Sequence, residues 1–221
     1  MTDPHLPLTR DLVLIGGGHT HALVLRKWGM LPLPGARLTL INPTPTAAYS
    51  GMLPGFTAGH YSRDELDIDL VKLARFAGAR VIIGAATGID VNARQIQVPG
   101  RAPIAFDVAS IDVGITCEMP SLPGFATYGV PAKPLGIFAA KWDAFRHGEG
   151  PAHIAVIGGG VAGVELVLTM AHALRMRGRL AQATLIDNAE ALRGVGSKAR
   201  TKLRTARTEQ AVTLLENAEI A

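Results

Sequence analysis

The sequence predicts an α/β protein made of two similar units, each built around a short parallel sheet. The first observation is that residues 11–19 and 153–161 align without a gap, each as an apolar run that leads into three glycines. The second is that residues 37–42 and 182–187, which follow as the next apolar run of each unit, also match. A strand, a glycine turn, a helix and a second strand are typical of a β-α-β unit with parallel strands.

In the second unit, Gly158, Gly160 and Gly163 have G-x-G-x-x-G spacing between an apolar strand and an apolar helix. The first glycine of this pattern permits a tight turn, the second lets a diphosphate approach the backbone, and the third lets the helix pack closely on the strand. The helix N-terminus adds amide donors and the positive end of the helix dipole. The pattern also predicts an acidic residue further on, and Asp187 ends the next strand. We therefore expect a Rossmann-like dinucleotide-binding unit here.

The first unit departs from this pattern at two positions. Gly16 and Gly18 are in place, but His21 stands where the third glycine is usual, and Asn42 stands where an acidic ribose ligand is usual. Asparagine can still form a hydrogen bond with a ribose hydroxyl, although it carries no charge. His19 and His21 lie where a phosphate or a cofactor ring would bind, so either could act chemically. We favour packing or hydrogen bonding near the diphosphate for both.

The remaining elements follow from periodicity and from the positions of glycine and proline. Residues 48–55 form a loop too apolar to be a solvated linker; it either lines a cofactor or is an ordinary buried crossover. Residues 120–134 contain several proline and glycine breaks and are expected to cross between the units. The other predicted elements are helices at 22–28, 67–77, 135–147 and 197–209, strands at 80–83, 108–114 and 211–215, and a hairpin at 95–98 and 104–106.

Composition excludes several classes of protein. The formal charge of +4 is mildly basic, and no dense lysine and arginine stripe with interleaved aromatic residues occurs, so nucleic-acid binding is not expected. The only cysteine, Cys117, leaves no partner for a disulfide or a dithiol mechanism and fits a cytoplasmic location. The sequence contains no uninterrupted apolar run of about 18 residues, so no transmembrane helix is expected. We also expect no metal site.

The order of motifs resembles the flavoproteins that have two dinucleotide-binding domains, the pyridine nucleotide-disulfide oxidoreductase superfamily. Type II NADH dehydrogenases, sulfide:quinone reductases and ferredoxin reductases belong to it. The sequences of these motifs are most similar to those of the flavoprotein that is fused to, or associated with, selenide, water dikinase. The segments that carry this resemblance are VLIGGGHTH at 13–21, YSGMLPG at 49–55 and LARFAGA at 73–79.

The resemblance implies FAD in the first unit and NADH in the second. Residues 1–118 would form the FAD-binding domain, 119–150 the crossing and its helix, and 151–221 the NAD(P)H-binding domain. The residues expected near FAD are Gly16, Gly18, His19, Asn42, Pro54 and Gly114. Those expected near NADH are Gly158, Gly160, Gly163, Glu165 and Asp187. Because a carboxylate repels a 2′-phosphate, Asp187 predicts a preference for NADH over NADPH.

The chain also departs from the family pattern. Asp112-Val-Gly114 stands where most relatives have Ala-Thr-Gly, and the later Gly-Asp motif that closes the flavin site of the family does not occur. The second unit has fewer predicted strands than a doubly wound sheet normally needs. These observations predict that the C-terminal part of the fold lies beyond the given residues.

The resemblance implies an FAD-dependent NAD(P)H oxidoreductase, in which hydride passes from NADH to the flavin and electrons continue to a quinone or to a selenium or sulfur species. Hydride transfer requires no acid or base, so no catalytic residue is predicted. A peripheral position at a membrane is the alternative to a purely cytoplasmic one. The competing hypothesis is a non-catalytic nucleotide-binding or partner-docking module, or an inactive fragment of such an enzyme.

Overall fold

The structure, a computed structural model, describes residues 7–116 and 122–219 and forms two compact units. The first unit contains the described residues up to Tyr49 together with Asp67–Thr116. The second contains Ser50–Leu66 together with the described residues from 122 onward. The expected division at residue 118 differs from this one, because Ser50–Leu66 belongs to the second unit. Cys117 lies outside the described residues, and its role stays a prediction.

Strands and helices alternate from residue 135 to residue 215, whereas five strands follow one another between residues 80 and 111. The strands are β1 Arg10–Ile15, β2 Ala36–Asn42, β3 Thr46–Ala48, β4 Asp67–Asp69, β5 Arg80–Ile83, β6 Gly88–Asp90, β7 Gln95–Gln97, β8 Ile104–Ala105, β9 Val108–Ile111, β10 Ala152–Ile157, β11 Leu180–Ile186 and β12 Thr213–Leu215. The helices are α1 His19–Met30, α2 Leu53–Ala58, α3 Arg63–Leu66, α4 Leu70–Phe76, α5 Phe125–Tyr128, α6 Leu135–His147, α7 Val161–Met176 and α8 Ser197–Glu209, with a short 3₁₀ helix at Ser50–Met52.

The first unit contains a four-stranded parallel sheet in the order β5-β2-β1-β9. Alternate residues of β1 enter two separate cores. Val13 and Ile15 pack with Ile96 and Ile104 of the antiparallel sheet β6-β7-β8, whereas Leu14 packs with residues of α1 and α4. The sheet is thus covered on both faces, as is usual for parallel strands, and each fully buried aliphatic side chain contributes roughly 1.5–3 kcal/mol.

The second unit contains the parallel sheet β10-β11-β12, with α7 packed against β10 and β11. Helix α2 packs against α6 and α7. Trp142 of α6 is buried and donates a hydrogen bond from Nε1 to the carbonyl oxygen of Thr57, at 3.1 Å. These contacts explain why Ser50–Leu66 belongs to the second unit although its sequence neighbours on both sides do not.

Two local predictions were wrong. The expected loop at 48–55 is largely helical, because Pro54 occupies the first turn of α2, where proline costs no hydrogen bond. The expected helix at 67–77 begins only at Leu70. Residues Asp67–Asp69 instead pair with β3, and the side chain of Asp69 caps α4 by accepting a hydrogen bond from the amide of Lys72, at 2.8 Å. The other expected strands and helices are confirmed, with shifted ends.

Candidate functional site

The first candidate site is the turn between β1 and α1, residues 16–18, which we call the first phosphate loop. Gly16 has a φ of +91°, a conformation that favours glycine, and a Cβ here would overlap the backbone carbonyl of Asp112. The Gly17 amide donates to Oδ1 of Asn42, at 2.8 Å. Helix α1 then begins at His19. The residue before it, Gly18, has no side chain and so cannot cap the helix. The turn therefore has the backbone of a diphosphate-binding loop.

Asn42 is buried at the end of β2, and its side chain holds this loop in place. Its Oδ1 accepts from Gly17, and its Nδ2 donates to the carbonyl oxygen of Thr44, at 2.7 Å. Both ends of the amide are therefore engaged within the first unit. A carbonyl oxygen has two lone pairs, so Oδ1 retains one acceptor position for a ribose hydroxyl.

His21 is buried, with 1% of its surface exposed, and bridges the loop and the neighbouring strand. Its Nδ1 lies 2.7 Å from the carbonyl oxygen of Gly16, and its Nε2 lies 2.9 Å from Oγ of Ser110. Because a carbonyl oxygen can only accept, Nδ1 carries the proton and Nε2 accepts from the serine hydroxyl in the neutral ring. Both ring nitrogens thus have protein partners, as the packing interpretation expects. His19 is exposed, and its ring centroid lies 5.9 Å from that of Tyr49.

Asp112, which directly follows β9, was not predicted as a site residue. Its Oδ2 accepts hydrogen bonds from the amides of Thr20 and His21, at 3.0 and 3.2 Å, and so caps the N-terminus of α1. The carbonyl oxygen of the same residue accepts from the amide of Gly18, at 3.3 Å. The signal that could have found it is a carboxylate placed after a strand that pairs with β1, since such strand ends meet at the same edge of a parallel sheet.

The second candidate site is the turn between β10 and α7, residues 158–160, the second phosphate loop. Gly158 has a φ of +109°, and a Cβ on Gly160 would meet nothing within 4 Å, so a ligand has room to approach the backbone. A Cβ on Gly163 would overlap the carbonyl oxygen of Gly158. The three glycines therefore have the environments that the sequence pattern requires for turn, approach and packing.

Asp187 directly follows β11 and holds the second loop as Asn42 holds the first. Its Oδ2 accepts from the amide of Gly159, and its Oδ1 accepts from the amide of Ala189, at 2.8 Å. A carboxylate has about four acceptor positions, so two remain for ribose hydroxyls. Arg193, six residues beyond Asp187, is exposed and is the conceivable partner for a 2′-phosphate. The more remote Arg179 donates to backbone carbonyls that include those of Phe145 and Gly150.

Three further residues that were expected in the sites lie outside the two phosphate loops. Gly114 is exposed in the first unit with a φ of +74°. Pro54 belongs to the second unit, in α2, although it was expected near the cofactor of the first. Glu165 is exposed on α7.

Among the described residues, no three His, Cys, Asp or Glu side chains group as metal ligands, and no helix is long and apolar enough to cross a bilayer.

Comparison with known proteins assigns the family. Residues 10–221 match the model of the family described as pyridine nucleotide-disulphide oxidoreductase. The chain belongs to this family. Membership agrees with the two phosphate loops and with the resemblance deduced from the motifs, while association with selenide, water dikinase remains outside what the match covers.

Three similar proteins show how strong the similarity is. The NADH dehydrogenase-like protein YutJ of Bacillus subtilis is 27% identical over 158 residues, which are 71% of this chain and 44% of YutJ. The demethylphylloquinone reductase NdbB of Synechocystis is 24% identical over 180 residues, 76% of this chain and 45% of NdbB. The crystal structure of reduced CoADR-RHD from Bacillus anthracis superposes with a TM-score of 0.78 at 20% identity, covering 94% of this chain and 38% of that one.

The similarity covers only part of each relative. The chain spans less than half the length of the two curated relatives. The solved structure shares the fold, and at 20% identity the fold is what it demonstrates.

Proposed function

We propose that this chain is the nucleotide-binding part of an FAD-dependent NADH oxidoreductase, with FAD in the first unit and NADH in the second. One observation carries the proposal: the chain contains two phosphate loops of the same construction. In each, the first of three consecutive glycines has a positive φ, and the middle one, Gly17 or Gly159, donates its amide to a side chain at or directly after the end of the next strand. Two such loops in one chain support two dinucleotides, which is the requirement of an enzyme that moves electrons between them.

The first unit offers FAD the loop glycines Gly16 and Gly18, the free acceptor position of Asn42 and the exposed ring of His19. The backbone turn fits a dinucleotide, but the Asp112 carboxylate lies at amides of α1 that an anionic group would seek. Gly114 follows β9 in the same unit, whereas Pro54 belongs to the second unit. When bound, FAD would supply the hydride-accepting chemistry that no side chain of the chain possesses.

The second unit offers NADH an open phosphate loop. Gly158 makes the turn, Gly160 leaves space at the backbone, and Gly163 lets α7 approach its strand. Asp187 orients the adenosine ribose through its remaining acceptor positions and favours NADH over NADPH. Glu165, exposed on the first turns of α7, extends the same surface.

A quinone is the acceptor that we favour, because the similar NdbB is a demethylphylloquinone reductase. A selenium or sulfur species is the alternative, and it follows from the proposed kinship with the flavoprotein associated with selenide, water dikinase. We place the protein in the cytoplasm, with peripheral contact to a membrane if the acceptor is a membrane quinone.

The proposal is tested by reconstituting the 221-residue chain with FAD and adding NADH without oxygen. Bleaching of the oxidised flavin absorbance would support an oxidoreductase. A folded protein that binds NADH but no FAD would support the non-catalytic module instead.

The assignment of each cofactor to its unit is tested by Gly160→Val. The Cβ of this side chain enters open space in the protein, on the side from which a ligand would approach the backbone, so NADH binding should be lost while FAD stays bound. Loss of FAD with retention of NADH would reverse the assignment.

A further inference from the structure

Asp112 places a negative charge at the N-terminus of α1, inside the first unit itself. Its Oδ2 accepts from the amides of Thr20 and His21, which are the second and third residues of the helix. A capping side chain normally belongs to the residue just before the helix, and that residue is Gly18. Asp112 therefore supplies from another strand the cap that Gly18 lacks.

The carboxylate occupies the space in front of the loop. A Cβ on Gly18 would overlap Cγ and both carboxylate oxygens of Asp112. Gly18 is the glycine that, in this fingerprint, leaves room for a diphosphate to approach the backbone. The room exists, but a carboxylate of the same protein lies in it.

The second unit provides the contrast within the same chain. Gly160 matches Gly18, has nearly the same φ and ψ, and would meet nothing within 4 Å as alanine. Gly160 forms no side-chain cap for helix α7, and within residues 7–116 and 122–219 no carboxylate forms hydrogen bonds to its first amides as Asp112 does in α1. The same backbone therefore has an open N-terminus in one unit and one satisfied by an internal anion in the other.

We propose that Asp112 acts as an internal substitute for the dinucleotide diphosphate and sets the affinity of the first unit for FAD. The inference rests on the proposed function, in which FAD binds this unit. In the free protein the carboxylate stabilises α1 through two charge-assisted hydrogen bonds. FAD binding requires the carboxylate to turn away or to remain beside a second anion, and either lowers affinity. Asp112 is thus an affinity-determining residue rather than a catalytic one.

The test compares FAD affinity in the 221-residue chain and in Asp112→Asn, measured by quenching of flavin fluorescence at equilibrium. The asparagine keeps the size and one acceptor oxygen but removes the charge. We expect the Kd for FAD to fall about tenfold. A charged helix cap, and its repulsion of a second anion, changes a binding equilibrium by a factor of about this size. Asp112→Ser, shorter and also neutral, is the second variant and should give a gain in the same direction.

The matched control is Asp107→Asn. Asp107 lies just before β9, at its opposite end, and its Oδ2 likewise accepts from a backbone amide, that of Asp11, at 2.7 Å. The control removes the same charge and keeps one acceptor oxygen for the backbone amide, without touching α1. Its FAD affinity should equal that of the unaltered chain, even if its stability falls.

A second readout follows the free protein. The two tryptophans lie one in each unit, Trp28 in the first and Trp142 in the second, so Trp142→Phe leaves a fluorescence signal that reports the first unit alone. In that background Asp112→Asn should lower the denaturation midpoint without FAD and show a larger stabilisation by added FAD.

Tighter FAD binding combined with a less stable free protein supports the inference. Equal or weaker FAD binding by both Asp112 variants, in a chain that otherwise binds FAD, overturns it and leaves the proposed function intact. If none of the proteins binds FAD while NADH still binds, the assignment of FAD to the first unit fails, and the inference fails with it.

Discussion

The two phosphate loops of this chain follow one backbone plan and complete it in different ways. In both, the first of the three consecutive glycines has a positive φ, and the middle one donates to a side chain at or directly after the end of the next strand. In the first loop, the side chains of His21 and Asp112 fill the space around the helix N-terminus. In the second, Gly163 lets the helix pack directly on the turn, and no carboxylate among the described residues caps the N-terminus as Asp112 caps that of α1.

The difference teaches that the glycine pattern specifies the shape of the turn, whereas the neighbouring side chains decide how available its amides are. His21 and Gly163 occupy the same position in the two units and both face the carbonyl oxygen of the first glycine. One reaches it by a hydrogen bond, and the other permits close packing. Four substitutions, ordered by expected effect, test this contrast.

The largest effect is expected for His21→Gly, which gives the first unit the residue of the second. It removes a buried ring, its two hydrogen bonds and a helix-favouring residue, so the first unit should lose about 3 kcal/mol of stability. Denaturation followed by Trp28 fluorescence, with Trp142 replaced by Phe, measures this loss. If His21 only packs, the rate of flavin reduction by NADH should stay within a few-fold; a loss of about 100-fold would show acid–base chemistry instead.

Gly163→Ala should cost the second unit about 2 kcal/mol. The added Cβ overlaps the Gly158 carbonyl, and the strain exceeds the gain in helix propensity. Trp142 fluorescence in a Trp28→Phe background reports the change. Gly160→Ala is the matched control and should change stability by less than about 1 kcal/mol, because its Cβ enters open space. Equal losses in both variants would contradict the packing role of Gly163.

Asp187→Asn gives the second unit the side-chain type of Asn42 in the first. The hydrogen bond to Gly159 can persist, but the charge that favours ribose hydroxyls and repels a 2′-phosphate is lost. NADH affinity should fall about tenfold, and the preference over NADPH should shrink. Asp187→Ser should relax the preference in the same direction. Binding titrations with both nucleotides decide, and equal affinity for the two in the unaltered chain would show that Asp187 does not face the ribose.

The smallest effect concerns Gly18→Ala, the counterpart of Gly160→Ala. Its Cβ meets the Asp112 carboxylate, which must rotate and give up its helix cap, so we expect a loss of about 1 kcal/mol. In an Asp112→Ala background the same substitution should cost almost nothing further, and this double-mutant cycle isolates the contact. Additive costs would indicate that the loop strain lies elsewhere.

Much of the fold could be predicted from the sequence, because its signals are local. The apolar runs that became β1, β2, β10 and β11 and the glycines with positive φ lie within a few positions of the turns they form. Predictions that depended on distant packing were the wrong ones. Residues 50–55 of the expected loop became helical and belong to the second unit, and 67–69 joined a strand that precedes it by about twenty residues.

By itself the sequence determined the duplicated β-α-β plan, the residues of both phosphate loops and the side chains that end the second strands, because each depends on neighbouring residues and backbone geometry. Tertiary structure alone decided what meets the first helix N-terminus. Asp112 lies 92 positions from Thr20, and Ser110 lies 89 from His21. These groups come together because β9 pairs with β1 in a parallel sheet and so brings its carboxyl end beside the loop. No periodicity in the sequence encodes that pairing, since it arises when two distant strands share hydrogen bonds.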